Sequence, residues 1–417
     1  MTTPAAPAPA ADTTRTPLID PSLDATVREW FTWLHQHPEL SFHEKQTSSY
    51  VAERLRELGL KPRERVGTAP NGEPLYSVVA VVAPERPGPA LALRADMDAL
   101  PISEVTGLSY ASRHTGAMHA CGHDAHTAML LGAAAALQEE HRRAPLPGPV
   151  LLIFQPAEEQ PPGGALGLIE AGVLDDPPVG AIFGLHVGNK DVGTFSLSNG
   201  PRNAASDGVR IVVRGRGGHA AAPHKSVDPV VVAAHVVIGL QTIVSRQISP
   251  RQPVVLTIGV ISGGTKANVI PESVTLQGSV RTLDPDVREM MPVKIKALAE
   301  GICAAYGGTA EVDYTRGYDV LVNDPAMSDL ARAAAVEVAG EAALQPAESG
   351  MGGEDFGRYL QKVPGAFVTI GSGDPQVAPE ERPPGHNPRS MVDQRALAYG
   401  VAWYLALTRR YFASRAE

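Results

Sequence analysis

The chain is 417 residues long, with 43% hydrophobic and 19% charged residues, which suits a soluble globular protein with a large core. Its length favours two domains over one. A formal net charge of −9 argues against nucleic acid and anionic membrane as partners, and no run of eighteen apolar residues marks a membrane span.

In chain order, residues 1–16 are rich in Ala, Pro and Thr and lack the basic start and apolar stretch of a secretory signal, so they read as a short disordered tail. Leu23, Val27, Trp30, Phe31 and Leu34 recur at helical spacing and predict a helix over 23–38. A second helix, 45–58, stops at Gly59. Apolar strand-like runs follow at 75–83, 90–96, 150–154, 181–185 and 366–371, with helices between them at 125–141 and 326–339. Strands that alternate with helices predict an α/β domain with a mostly parallel sheet flanked by helices.

The middle of the chain has another rhythm. A strand at 207–214 leads to a helix at 228–245, strands at 253–261 and 273–282, a helix at 286–306 and a strand at 309–315. That order, βαββαβ, is the ferredoxin-like unit. It reads as an inserted lid and dimerisation domain over 199–314, splitting a catalytic domain into 17–198 and 315–417. Cys303 falls on the apolar pattern of its helix and is expected in the core. With only Cys121 besides it, a disulfide framework is not expected, and a reducing cytoplasm is the simpler location.

Metal-type ligands gather at the ends of the predicted strands. RADMDALP carries Asp96 and Asp98; HACGHDAH carries Cys121 and His123 just before a helix; FQPAEE carries Glu158 and Glu159; GLHV carries His186; and GHNP carries His386 in a Pro/Gly-rich loop. In an open α/β sheet, sites form outside the carboxyl ends of the strands, where these groups can converge. Thiolate, imidazole and carboxylate together suit a borderline divalent ion: zinc or manganese, with cobalt or nickel as alternatives. A bound metal and the start of the 125–141 helix would both favour the Cys121 thiolate. Five such ligands exceed what one four-coordinate zinc needs, and a bridging one would hold two ions about 3.5–4 Å apart. Of the adjacent pair Glu158 and Glu159, one can bind metal while the other takes a proton from an activated water.

Singly, each feature has a plainer reading: a Glu pair is usually solvated, an Asp often caps a turn, and a His after an apolar run is often a core residue. Their joint order is what counts. GRGGHA at 215–220 formally matches a dinucleotide fingerprint, but Pro223 delays the helix and no acidic residue occurs between 229 and 271. No nucleophile elbow or P-loop signature is present.

HPELSFHE, RADMDALP, HACGHDAHTAMLLGAA, FQPAEE, GLHV, GRGGHAAAPH, GGTKANVIPESV, GSVRTLD, GGEDF and GHNP occur in that order. On these motifs the chain, over about residues 25–410, resembles the aminoacylase/carboxypeptidase metallohydrolase family. Within it, it is similar to the branch of hippurate hydrolases, N-acyl-L-amino acid amidohydrolases and auxin–amino acid conjugate hydrolases. The resemblance implies a metal-dependent amidohydrolase that cleaves N-acyl-L-amino acids by a metal-activated water, with a metallo-exopeptidase on short peptides as the alternative and a non-catalytic binding relative as a further one. It implies two divalent ions held by Cys121, His123, Glu159, His186 and His386, with Cys121 bridging and Glu158 as general base. Asp98 is expected behind the ligands. His219 on the lid is expected to reach the reaction centre, in some relatives from the partner subunit. Asn268 and Arg281 are expected to hold the substrate carboxylate. A homodimer or higher homo-oligomer through the lid, and no nucleic acid or membrane partner, complete the expectation. The wider family has His-x-Asp where this chain has Asp96-Met97-Asp98, which leaves the role of Asp96 open.

Overall fold

A computed structural model describes residues 18–347 and 349–415, so the expected tail at 1–16 lies outside the described residues. The chain opens with α1 (Pro21–Gln36) and α2 (Lys45–Glu57), then β1 (Arg63–Glu64), β2 (Val78–Val82) and β3 (Ala90–Asp96). Next come α3 (His123–Arg143), β4 (Val150–Gln155), α4 (Gly164–Glu170), β5 (Val179–Asp191) and β6 (Phe195–Ser196). The inserted portion contains β7 (Gly200–Asn203), β8 (Ala205–Arg214), β9 (Gly218–His219), α5 (Pro229–Thr242), β10 (Val254–Gly263), β11 (Val269–Ile270), β12 (Ser273–Thr282), α6 (Pro285–Ala305) and β13 (Thr309–Tyr318). The chain then returns through β14 (Leu321–Asn323), α7 (Pro325–Ala339), α8 (Gly357–Leu360), β15 (Gly365–Gly373) and α9 (Arg395–Ala413).

Four of these helices, α1, α5, α6 and α7, begin on an Asp–Pro pair. Asp20, Asp228, Asp284 and Asp324 each accept hydrogen bonds from backbone N–H groups of the first turn, and the proline gives up only an N–H that would lack a helical partner anyway. Such pairs fix where the helices start.

The large sheet has the order β1-β2-β4-β3-β5-β15-β6. Its four central strands, β4, β3, β5 and β15, run parallel, and the strands at both edges are antiparallel. The central strands are apolar on both faces because helices cover both. One face packs Leu91, Leu93 and Phe183 against Trp30, Met129, Leu130 and Trp403 of α1, α3 and α9. The other packs Ala92, Leu151 and Ile153 against Leu168, Phe356 and Tyr359. The carboxyl ends of the parallel strands therefore open onto one edge of the layered core.

The inserted sheet has the order β10-β12-β8-β13, all antiparallel, with α5 and α6 on one face. Its core includes Ile211, Val236, Leu276, Ile295 and the expected Cys303. The strand β13 runs to Tyr318, beyond the expected 315, because Tyr318 still pairs with Ser206 after an irregularity. The connecting segments β7 and β14 pair with each other, a two-stranded link that sequence alone did not suggest. The segment Pro229–Gln247 averages a hydropathy of 1.5, enough by length and composition to cross a membrane, although no uninterrupted apolar run exists. Here it packs Val232, Val236 and Leu240 into the lid core.

Candidate metal centre

Asp98, just past the end of β3, organises the centre. Its carboxylate lies 3.2 Å from His123 Nδ1, accepts from the backbone N–H groups of Glu158 (3.0 Å) and Glu159 (2.9 Å), and accepts from the Ser41 hydroxyl (2.6 Å). One buried side chain thus fixes both the imidazole ring and the turn that carries the Glu pair. Those four partners hold the carboxyl below its ordinary range, against the burial that would raise it. Glu44 holds the same turn from the other side, accepting from the N–H of Ala157 (2.8 Å), a non-glycine residue at φ 58°. The chain reverses there and aims successive carboxylates into one cleft.

His123 is the first residue of α3 rather than a residue before it, and Gly122, at φ 84°, makes the turn into the helix. Because Nδ1 faces Asp98, Nε2 points the other way. It is buried with no hydrogen-bond partner, 3.8 Å from Glu159 Oε1 and 4.0 Å from Glu158 Oε2. His186 lies inside β5 rather than after it, since Val187 and Gly188 go on pairing with β15. Its Nδ1 is 2.6 Å from the carbonyl of Val187, which leaves Nε2 facing Cys121 Sγ at 3.3 Å. His386, at φ 61°, is held by its N–H to the carbonyl of Ala120 (2.9 Å), and its Nε2 is 3.2 Å from Glu159 Oε1.

The donors form overlapping triads. Cys121, His123 and His186 have ligand atoms within 4.8 Å of one another, as do Cys121, Glu159 and His386. Cys121 belongs to both, and Glu159 also joins His123 and Glu158 in a further triad. The helix start does not lower this thiol in the bare cluster: desolvation pushes it up to about 12, against the pull of His123. Desolvation and the neighbouring His126 push His186 down to about 3, the neutral form that binds metal. A buried imidazole nitrogen without a partner, beside a thiol and two carboxylates, fits a pair of divalent cations.

Sequence reasoning left out a supporting layer. His126, one turn after His123, has Nδ1 2.6 Å from Asp96 and Nε2 2.8 Å from the N–H of Val187, so both its nitrogens have partners. Asp96, whose role the motifs left open, therefore sits between His126 and Arg94 (2.6 Å) as a structural group. Arg94 is wholly buried and also meets Asp355 at 2.8 Å and Glu354 at 3.2 Å, with Gln155 joining the cluster. The GGEDF motif, which carries Glu354 and Asp355, was the signal that could have exposed it.

Glu158 is buried beside Glu354 and Asp355. Burial, then Glu354 and Glu159, raise its carboxyl well above the ordinary range. The Tyr318 hydroxyl donates to its backbone carbonyl at 2.5 Å. A cavity of about 580 Å³ opens here, lined by Cys121, Glu158, Glu159, His186, His386 and, from the inserted portion, Arg281. His219 and Asn268 do not line it. They lie together on the β9/β11 ribbon, where His219 pairs with Val269 and the N–H of Ala220 donates to the carbonyl of Asn268, and His219 is exposed.

The sequence profile of Peptidase family M20/M25/M40 matches residues 92–410. The chain is 42% identical over 388 residues to an N-acetyl-L-cysteine deacetylase of Bacillus subtilis, covering 92% of this chain and 88% of that one. It is 37% identical over 395 residues to thermostable carboxypeptidase 1 of Saccharolobus solfataricus, covering 92% and 97%. It is similar to a solved structure of a Bacillus subtilis protein described as a dinuclear metal-binding peptidase from the M20 family, with a TM-score of 0.81 and 34% identity over 95% of this chain and all of that one.

Proposed function

Since the chain belongs to Peptidase family M20/M25/M40 and is a metal-dependent amidohydrolase, we propose that it deacylates N-acyl-L-amino acids at the cleft between its two sheets. The proposed ligands of the two ions are Cys121, His123, Glu159, His186 and His386, with zinc or manganese as the resident metals. When bound, the ions acidify a water molecule and polarise the scissile carbonyl.

Glu158 is the proposed general base. It accepts a proton from the attacking water and passes it to the leaving nitrogen, and its raised carboxyl suits a group that must hold that proton between the two steps. The observation that carries the assignment is its buried carboxylate, 4.0 Å from the unpartnered Nε2 of His123 and on the wall of the same cavity. Arg281, on that wall, suits the substrate's α-carboxylate. Glu158→Gln should keep two metals per chain, measured by elemental analysis, while turnover falls by a factor on the order of 10³ or more. Turnover near that of wild type would remove the base from its role.

His219 and Asn268 are proposed to complete the cleft from a second copy of the chain, with His219 of the partner subunit stabilising the oxyanion. A homodimer through the lid is supported by the apolar outer face of α5, where Ile238 is 67% exposed, and by the unpaired edge strand β10, where Ile261 is 61% exposed. A reducing cytoplasm suits a site built on the free thiol of Cys121.

The second reading, a carboxypeptidase or dipeptidase on short peptides, is favoured by the likeness to the thermostable carboxypeptidase, since peptides offer the same α-carboxylate. Rates on N-acetyl, N-benzoyl and indole-acetyl amino acids against dipeptides, on apo protein reloaded with one metal at a time, separate the two.

A further inference from the structure

Two smaller cavities neighbour the cleft on the side of the large sheet. A cavity of about 250 Å³ shares Cys121 and His186 with the main cleft, and the rest of its lining includes Gly122, Val187 and Val392, with nothing from the lid. A further cavity of about 260 Å³ shares Asn189, Ser372, Met391 and Val392 with it and adds Leu108, Tyr110 and Val377. Shared lining residues thus link the three spaces in sequence, beginning at Cys121 and His186. At the outer end Met391 is 49% and Val377 37% exposed, two apolar side chains at a surface mouth.

The roof is the loop that carries His386, and it is pinned along its length. His386 N–H donates to the Ala120 carbonyl (2.9 Å), Val105 N–H to the Pro388 carbonyl (2.9 Å), and Asp393 N–H to the Ser372 carbonyl (2.9 Å). The charged groups on the outer lining are committed to ion pairs: Arg382 with Asp191 (2.5 Å), and Asp374 and Asp393 with Arg395. What faces the space is therefore mostly apolar side chain and satisfied backbone.

We infer that this rear channel holds the acyl chain of the substrate, so that the enzyme takes N-acyl amino acids with straight aliphatic acyl groups well beyond acetyl. The inference rests on the deacylase reading. If Arg281 on the lid side of the cleft takes the carboxylate, the acyl group lies on the opposite side of the scissile carbon, where the channel begins beside Cys121 and His186. At about 30 Å³ per water-sized unit, either cavity has room for roughly eight such units. The reaction stays a simple hydrolysis: water adds its oxygen to the acyl carbon, the C–N bond breaks, and the amine leaves with the proton.

The test is the binding of straight-chain carboxylates from acetate to octanoate to the metal-loaded protein, by calorimetry, in wild type and Met391→Trp. Burial strengthens binding roughly fourfold per enclosed methylene, so octanoate should bind on the order of 50-fold tighter than acetate if three of its additional methylenes are enclosed. That advantage should shrink at least about tenfold in Met391→Trp, and the octanoyl-to-acetyl ratio of kcat/KM on one amino acid should fall in parallel. Val377→Asp, a change at the exposed mouth, guards against a misfolded first variant and should also reduce the octanoate advantage. Equal binding of acetate and octanoate by wild type, or an advantage that survives both substitutions, overturns the channel, which is then only a route for water. If N-acetyl amino acids are hydrolysed while octanoate gains nothing, the channel falls and the deacylase reading stands. If no N-acyl amino acid is cleaved but the chain-length dependence is present and lost in both variants, the channel stands and the deacylase reading falls.

Discussion

The floor and the lid of the cleft differ in how firmly each holds its chemistry. On the floor, Asp98 alone makes four contacts, and His123, His186 and the Glu158–Glu159 turn each have a buried partner that fixes their direction. On the lid, His219 stands on a two-residue strand, exposed, with the N–H of Ala221 donating to its ring at 3.0 Å. Arg281, by contrast, is carried by the long central strand β12 and does face the cavity. A rigid floor suits ligands whose geometry must be set before substrate arrives. A lid whose ribbon misses its own cleft suits a group supplied when a second copy docks.

The largest expected effect lies beneath the floor. Arg94 is wholly buried among Asp96, Glu354 and Asp355, and their carboxylates keep it charged despite the burial that opposes it. Arg94→Met would strand three buried carboxyl groups and should destabilise the fold by about 3–5 kcal/mol, read from the denaturant midpoint. A loss below about 1 kcal/mol would mean the floor is not held by this cluster.

The next prediction probes the lid. His219→Ala should lower kcat by about 10²–10³ with metal content unchanged, as expected for loss of an oxyanion donor. If the proposed homodimer supplies His219 in trans, mixing His219→Ala with Glu158→Gln subunits should restore about a quarter of wild-type activity, because half the dimers would be mixed and each would hold one intact site. No recovery on mixing would place His219 in its own subunit's cleft and remove the need for a second copy. Back on the floor, Asp98→Asn should weaken metal binding by about 10–100-fold, since it orients His123 and the Glu pair without touching the ions. Competition with a chromophoric chelator would measure it.

Most of the side chains that the structure gathers in the cleft could be read from sequence because each sits in a short motif beside an apolar run: Cys121 and His123 at the start of the α3 pattern, Glu158 and Glu159 after β4, His186 on β5. The inserted βαββαβ order was equally legible from its alternating runs. What stayed hidden joins residues far apart in the chain. Arg94 meets Asp355 across 261 residues, and Gln155 meets it across 200, through a register that no local pattern encodes. His126 shows the same limit: its partners on Asp96 and Val187 lie 30 and 61 residues away. The extent of β5 past Leu185 was hidden for a simpler reason, since His186, Val187, Gly188 and, past an irregularity, Asp191 keep pairing after the apolar run ends.

A pH dependence again separates the two regions. His35 on α1 is buried between Asp124 (2.6 Å) and Glu104 (3.3 Å), beside His119, which burial pushes down to about 4 and so keeps neutral. Burial opposes its charge, yet Asp124 and then Glu104 raise its pKa to about 10. A group raised in the folded state adds stability that is complete below its unfolded value of about 6.5 and is lost as pH climbs toward 10. Wild type should therefore lose up to about 1.4 kcal/mol per pH unit across that window relative to His35→Gln, which removes the titration. The lid's buried pair does not titrate there, because Asp207 is lowered by Arg288 and Arg288 is raised by Asp207 and Asp319. If lid and catalytic sheet unfold as separate transitions, only the catalytic one should move with pH in the wild-type-minus-variant difference. A difference that is flat from pH 6.5 to 10 would show that His35 is neutral between its two carboxylates and adds no ionic support to the α1–α3 packing behind the metal ligands.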